Sequence, residues 1–154
     1  MSIETKLREM GIDLPSAPAA VGAYIAAVRT GNLLYISGQL PSHSGKILIT
    51  GKVDQEVQVG HARDAARLCA INALAVIKAE VGTLERVRQI VRLEVFVNSA
   101  AGFTNQAQVA NGASQLLHEL FGPAGQHARL AVGVSDLPLN AAVELAMIVE
   151  ISPD

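Results

Sequence analysis

The ten residues Gln89-Ile90-Val91-Arg92-Leu93-Glu94-Val95-Phe96-Val97-Asn98 carry the clearest pattern in the chain. Apolar and mixed positions alternate with a period of two, which belongs to a strand whose successive side chains face opposite sides of a sheet. The alternation predicts Val91, Leu93, Val95 and Val97 on one face and Arg92, Glu94 and Phe96 on the other. Helix-length segments stand on either side. From about Val57 to Val81 the chain is rich in alanine and leucine, and Gly82 sits where a C-terminal glycine cap belongs. From about Asn105 to Phe121 a second helix is expected, ended by Gly122-Pro123. A strand held between two helices is the centre of the fold.

Working outward, Ile3 to Met10 reads as a short helix closed by Gly11. Tyr24 to Arg29 and Leu33 to Ser37 read as strands joined through Thr30-Gly31-Asn32, a hairpin loop by composition. Ile47 to Ile49 is a candidate third strand. Two last strands, Ala128 to Val134 and Ala142 to Glu150, flank the turn Asp136-Leu137-Pro138-Leu139-Asn140. Strand runs mixed with two helices predict an α+β domain with both helices on one face of one sheet. Parity then sorts the last strands. If fully apolar faces lie under the helices, Leu130, Val132 and Val134 belong there with Val143, Leu145, Met147 and Val149. Arg129 and Glu144 would then share the opposite face.

The 154 residues are enough for one domain, which buries roughly 68–70% of its unfolded surface without a disulfide or metal staple. Half the chain is hydrophobic and 17% is charged, which excludes wholesale disorder. A net charge of −2 and 3% aromatic residues argue against a nucleic-acid grip, because there is neither a basic run nor a stacking platform. Mean hydropathy of +0.33 implies contiguous apolar surface, and hence an oligomer. The N-terminus lacks the apolar core of a signal peptide, and the longest apolar stretch, Leu68 to Ile77, is interrupted by Asn72 and far too short to span a membrane. A soluble cytoplasmic protein is expected.

Phosphate loops, dinucleotide fingerprints, nucleophile elbows and paired-histidine metal motifs are all missing. His43, His61, His118 and His127 are scattered without ligand spacing and read as surface or helix-face residues, so no metal is expected. Cys69, the single cysteine, lies in an apolar helix and reads as a buried, inert thiol. His127-Ala128-Arg129 is more informative. An arginine at a strand start, after a Gly-Pro loop, can offer its planar fork to a carboxylate. Spacing alone nevertheless favours an ordinary solvated arginine or an interface ion pair. Glu144 could handle protons or hold a water. A simple hairpin centred near Pro138 would leave Arg129 and Glu144 out of register, so cooperation would require a bulge or a neighbouring subunit.

Several segments at matching spacing resemble the Rid (reactive intermediate deaminase) family, also called the YjgF or L-PSP endoribonuclease-like family. They are Gly22-Ala23-Tyr24, Gly31-Asn32, Ser37-Gly38-Gln39-Leu40-Pro41, Val95-Phe96-Val97, Asn111, Ala128-Arg129, Leu137-Pro138 and Val143-Glu144. The resemblance covers nearly the whole chain after about Pro15, leaving residues 1–15 as an N-terminal extension of a single domain spanning 1–154. It implies a chorismate-mutase-like fold with one mixed sheet, assembled as a homotrimer with three clefts between subunits. It further implies that Arg129 binds a substrate carboxylate and that Glu144 lies near the reacting water. Tyr24 and the backbone around Gly38 would shape the pocket, with Asn111 nearby. The implied chemistry is hydrolysis of enamines and 2-imino acids to 2-keto acids and ammonia, without metal or organic cofactor.

The chain departs from the pattern of the active members it resembles. His127 stands where they usually carry proline, and Ala131 where they carry cysteine. The stretch from Asn111 to Arg129 is about one residue longer. The N-terminal segment and the stretch from Phe103-Thr104 to Asn111-Gly112-Ala113-Ser114 look like those of a distinct subgroup. Two further readings stand beside deamination: a trimer that binds small carboxylates without turnover, which needs Arg129 but not Glu144, and a ribonuclease, which charge, aromatic content and the lack of a histidine pair oppose.

Overall fold

The computed structural model describes residues 1–154. Its main sheet has five strands in the order β1-β2-β7-β5-β6. These are β1 (Ala27–Thr30), β2 (Leu33–Gln39), β5 (Val87–Asn98), β6 (Ala128–Val134) and β7 (Val143–Ile151). Neighbours run antiparallel except β5 and β6, which are parallel, so the sheet is mixed. Two-residue strands β3 (Ser42–His43) and β4 (Lys46–Ile47) form a small separate ribbon where the sequence reading placed one short strand at Ile47 to Ile49. Helix α1 (Ile3–Glu9) precedes the sheet, and the long helices α2 (Val59–Val81) and α3 (Gln106–Phe121) pack together on one of its faces.

Helix α2 lasts 23 residues because Ala, Leu and Ile dominate it, and it ends at Gly82, whose φ of 88° few other residues tolerate. Its buried side includes Ala62, Ala65, Ala66, Cys69, Ala70 and Ala73, and small residues let α3 approach closely. At the crossing, a Cβ on Gly112 of α3 would overlap the Arg63 carbonyl of α2. The core continues through Val109, Leu116, Leu117 and Leu120 to Leu93, Val95, Val97, Leu145, Met147 and Val149 of the sheet. No helix is long and apolar enough to cross a membrane.

Three expectations are corrected by the sheet. The last two strands form no hairpin: β5 lies between them, pairing with β6 on one side and β7 on the other. In β5, Ile90 is buried beside Leu93 in place of Val91. The register slips between Ile90 and Arg92, so a bulge at Val91 exchanges the two faces there. The parity of β6 is also reversed. Parallel pairing sets Arg129, Ala131 and Gly133 opposite Leu93, Val95 and Val97, and these three β5 residues are buried under the helices. Leu130, Val132 and Val134 therefore face away from the helices, with Val132 41% exposed. Hydrophobicity alone misplaced them, because the open face is itself partly apolar. Tyr35 and Ile148 pair across it, as do Phe96 and Glu144.

Candidate functional site

Arg129 leaves β6 on the helix side and meets α3. Its Nη1 donates to Asn111 Oδ1 at 2.8 Å and to Ser114 Oγ at 3.1 Å. Asn111 and Ser114 are three residues apart, which places them on one face of the helix. Two acceptors use both protons of that nitrogen, so Nε and Nη2 remain as the free edge of the guanidinium. That edge is a two-pronged donor suited to a carboxylate.

His127 completes the group. Its Nδ1 lies 2.7 Å from the Gly125 carbonyl and its Nε2 2.9 Å from Ser114 Oγ. A carbonyl only accepts, so Nδ1 carries the proton in the neutral ring and Nε2 accepts from the serine hydroxyl. The serine lone pair is then turned toward Arg129. Burial holds the His127 pKa below its ordinary value, the Gly125 carbonyl opposes this, and the Arg129 charge adds to the lowering. His127 is thus a half-buried member of a polar network and not the surface residue that its sequence context implied. His43, His61 and His118 are exposed, as expected.

Glu144 belongs to a different neighbourhood. It lines a cavity of about 780 Å³ together with Tyr24, Gly38, Leu40 and Leu139. The carboxylate lies over Gly38, where the β2–β7 register slips. A Cβ on Gly38 would stand 3.2 Å from Glu144 Cδ and closer still to Oε1. The glycine therefore makes room for the acid. Glu144 has no ion-pair partner, and half-burial pushes its pKa up. Cys69 is fully buried, with its thiol pKa raised by burial first and by the Glu144 charge second.

The predicted residues thus fall into two groups: Arg129 with Asn111, and Glu144 with Tyr24 and Gly38. One chain does not bring the groups together. Glu144 pairs with Phe96 and Arg129 with Leu93, three positions apart along β5 and on opposite faces of the sheet. That is roughly 10 Å along the strand alone. Ser114 was missed as a partner of Arg129. Its only sequence signal was the i, i+3 spacing from Asn111. Cys, His, Asp and Glu side chains do not gather in threes to form a metal cluster.

A mixed sheet carrying two helices on one face, with an arginine fork at one edge and an unpaired carboxylate in a cavity, makes this an α+β protein with one main sheet. Residues 4–151 match the family described as "YjgF/chorismate mutase-like, putative endoribonuclease". The chain belongs to this family. It is 42% identical to Protein TCP17 of Trypanosoma cruzi, over 97% of this chain and 94% of that one. It is 31% identical to the 2-iminobutanoate/2-iminopropanoate deaminase of Dermatophagoides farinae, over 91% and 94% of the two chains. Among solved structures it is similar to Atu1372 of Agrobacterium tumefaciens, a protein described as of unknown function. That likeness has a TM-score of 0.92 at 48% identity and covers 97% of this chain and 92% of the other.

Proposed function

We propose that the protein hydrolyses reactive 2-imino acids and their enamine tautomers to 2-keto acids and ammonia, at clefts between the subunits of a homotrimer. The observation that carries this reading is the division of charge within one chain. Arg129 has a free donor edge and no carboxylate, and Glu144 is half-buried with no cation. Because β6 is an edge strand, Arg129 lies near a border of the sheet that a second chain can approach. Packing the border of one chain against the open face of the next would set Arg129 and Glu144 on either side of one substrate. The relative that carries a deaminase name supports the same chemistry.

In this mechanism the Nε–Nη2 edge of Arg129 grips the substrate carboxylate and fixes the C=N carbon in the cleft. Glu144 holds a water against that carbon and takes its proton as the oxygen adds. The resulting carbinolamine carries both a hydroxyl and an amine. The substrate reacts as its iminium ion, so the amine of that intermediate is neutral. Glu144 returns the proton to nitrogen, the C–N bond breaks, the hydroxyl proton passes back to the Glu144 carboxylate as the carbonyl forms, and ammonia takes up that proton and leaves as ammonium. A carboxylate whose pKa is pushed up by burial suits both steps, since it is a stronger base when charged and an available acid when protonated. Imines hydrolyse readily in water, so a site with few ionisable groups suffices.

The test generates 2-iminobutyrate in situ and follows its loss together with ammonia release. Wild type should accelerate both, and Glu144→Gln should lose roughly 10²-fold or more in kcat. If Glu144→Gln matches wild type, or neither protein accelerates hydrolysis, the catalytic reading falls and carboxylate binding without turnover takes its place.

A further inference from the structure

A serine in the middle of a helix commonly turns its hydroxyl back onto the carbonyl four residues earlier. Ser114 of α3 instead directs its Oγ outward, to His127 Nε2 at 2.9 Å and to Arg129 Nη1 at 3.1 Å. The imidazole takes the hydroxyl's proton side and the guanidinium its lone-pair side.

The ring that faces the hydroxyl is braced from behind. His127 Nδ1 donates to the Gly125 carbonyl at 2.7 Å. That carbonyl belongs to the turn Gly122–Gly125, which lies directly against α3: a Cβ on Gly125 would overlap the Leu117 carbonyl. The tautomer so fixed keeps the lone pair on Nε2, and the lowered pKa leaves the ring neutral at pH 7, free to take a proton. Nucleophile, base and orienting group thus follow one another in hydrogen-bonding order, the arrangement that activates a hydroxyl. The Arg129 charge beside Oγ favours the alkoxide that forms as the proton leaves. Every part belongs to one chain, and Ser114 is only partly covered.

We propose that Ser114 is a nucleophile activated by His127, and that the protein has a second activity, hydrolysis of esters that carry a free carboxylate, such as monoesters of short dicarboxylic acids. The free Nε–Nη2 edge of Arg129 holds the carboxylate. Oγ adds to the ester carbonyl while its proton moves to Nε2. The tetrahedral adduct collapses, the ester C–O bond breaks and the alcohol leaves with that proton. Water then adds to the acyl-serine and gives a proton to Nε2. The Oγ–C bond breaks, Oγ recovers the proton and the dicarboxylic acid leaves. One ester and one water become one acid and one alcohol. Imine hydrolysis forms no bond to Ser114, so this proposal and the deaminase reading stand or fall separately.

The probes are mono-p-nitrophenyl glutarate and its uncharged counterpart p-nitrophenyl butyrate, offered to the full-length protein. p-Nitrophenol should appear in a burst approaching one per chain, and peptide mass spectrometry after acid quenching should find the glutaryl group on Ser114. Ser114→Ala should lose the burst. His127→Gln can still bond the serine but takes no proton, so acylation should slow roughly 10²-fold. A serine that merely spaces Arg129 from the ring would not show that loss. Arg129→Ala should cut the preference for the glutarate ester over the butyrate ester by about tenfold or more. Circular dichroism verifies that each variant is folded. Absence of acylation, a glutaryl group on another residue, or wild-type rates in folded Ser114→Ala or His127→Gln would overturn the proposal. Ammonia release from 2-iminobutyrate, followed on the same wild-type preparation, decides the deaminase reading by itself.

Discussion

Ser114 Oγ lies 2.9 Å from His127 Nε2, and the direction of that hydrogen bond is fixed from the far side of the ring. The Gly125 carbonyl accepts a hydrogen bond from Nδ1–H, so the serine donates to Nε2 and presents its lone pair to Arg129. The histidine never touches Arg129 through a hydrogen bond, yet it decides which way the serine between them points. The side chain two residues before Arg129 is part of the arginine's mounting.

His127→Ala should therefore act through Arg129. One neutral hydrogen bond is worth about 0.5–1.5 kcal/mol, so KM for an imino acid should rise about threefold to tenfold, with kcat changed less. Ser114→Ala should do the same, and the double variant should cost no more than either single one. Additive losses would show that the two side chains act separately.

The same histidine makes stability depend on pH. Its folded pKa is lowered, so below its ordinary value of about 6.5 the unfolded chain takes up a proton that the folded chain refuses. Stability should fall as pH drops from 7.5 through 6.5 and below, and His127→Gln should flatten that limb in urea titrations. Parallel curves for the two proteins would contradict the assignment.

Glu144 predicts the opposite sign. Its folded pKa is raised by burial, so the charged form weakens the fold at neutral pH and stability is gained as protons bind on descent toward 4.5. Glu144→Gln should be more stable than wild type at pH 7, with the advantage shrinking on acidification. Loss of activity together with gain of stability would mark a group kept for its chemistry.

Gly112 offers a test of packing. Replacing a mid-helix glycine by alanine ordinarily stabilises by about 0.5–1 kcal/mol. Here the added methyl would run into the Arg63 carbonyl, and backbone cannot move aside cheaply. Gly112→Ala should cost about 1–3 kcal/mol by urea unfolding. A stabilised variant would mean that α2 and α3 are further apart than described.

Much of this architecture is legible in the sequence, for identifiable reasons. The alanine-rich run ending at Gly82 gives α2, and the alternation from Leu93 to Val97 gives the heart of β5, because each signal is periodic and local. Bulges are not periodic, so the alternation points to Val91 for the place that Ile90 takes. The reversal of β6 has a different cause. Leu130, Val132 and Val134 look like core residues, but parallel pairing to β5 turns Ala131 and Gly133 to the helix side instead, and strand order is not written in any one strand. Arg129 and Glu144 stand out as a strand-start arginine and a strand carboxylate, and the resemblance at matching spacing adds Asn111 and Gly38. Ser114 carries neither signal, since a helix-face serine becomes informative only once Arg129 is seen to cross to α3.

Arg129 and Glu144 are proposed to serve one substrate from two chains. Arg129→Ala and Glu144→Gln are each expected to be inactive. Mixed in equal amounts, dissociated and reassembled, they should recover activity, because some clefts regain an intact arginine from one chain and an intact glutamate from another. Random assembly of trimers predicts about one quarter of wild-type activity, with native mass spectrometry verifying that mixed trimers have formed. Mixed trimers with no activity above the separate variants would contradict a shared site.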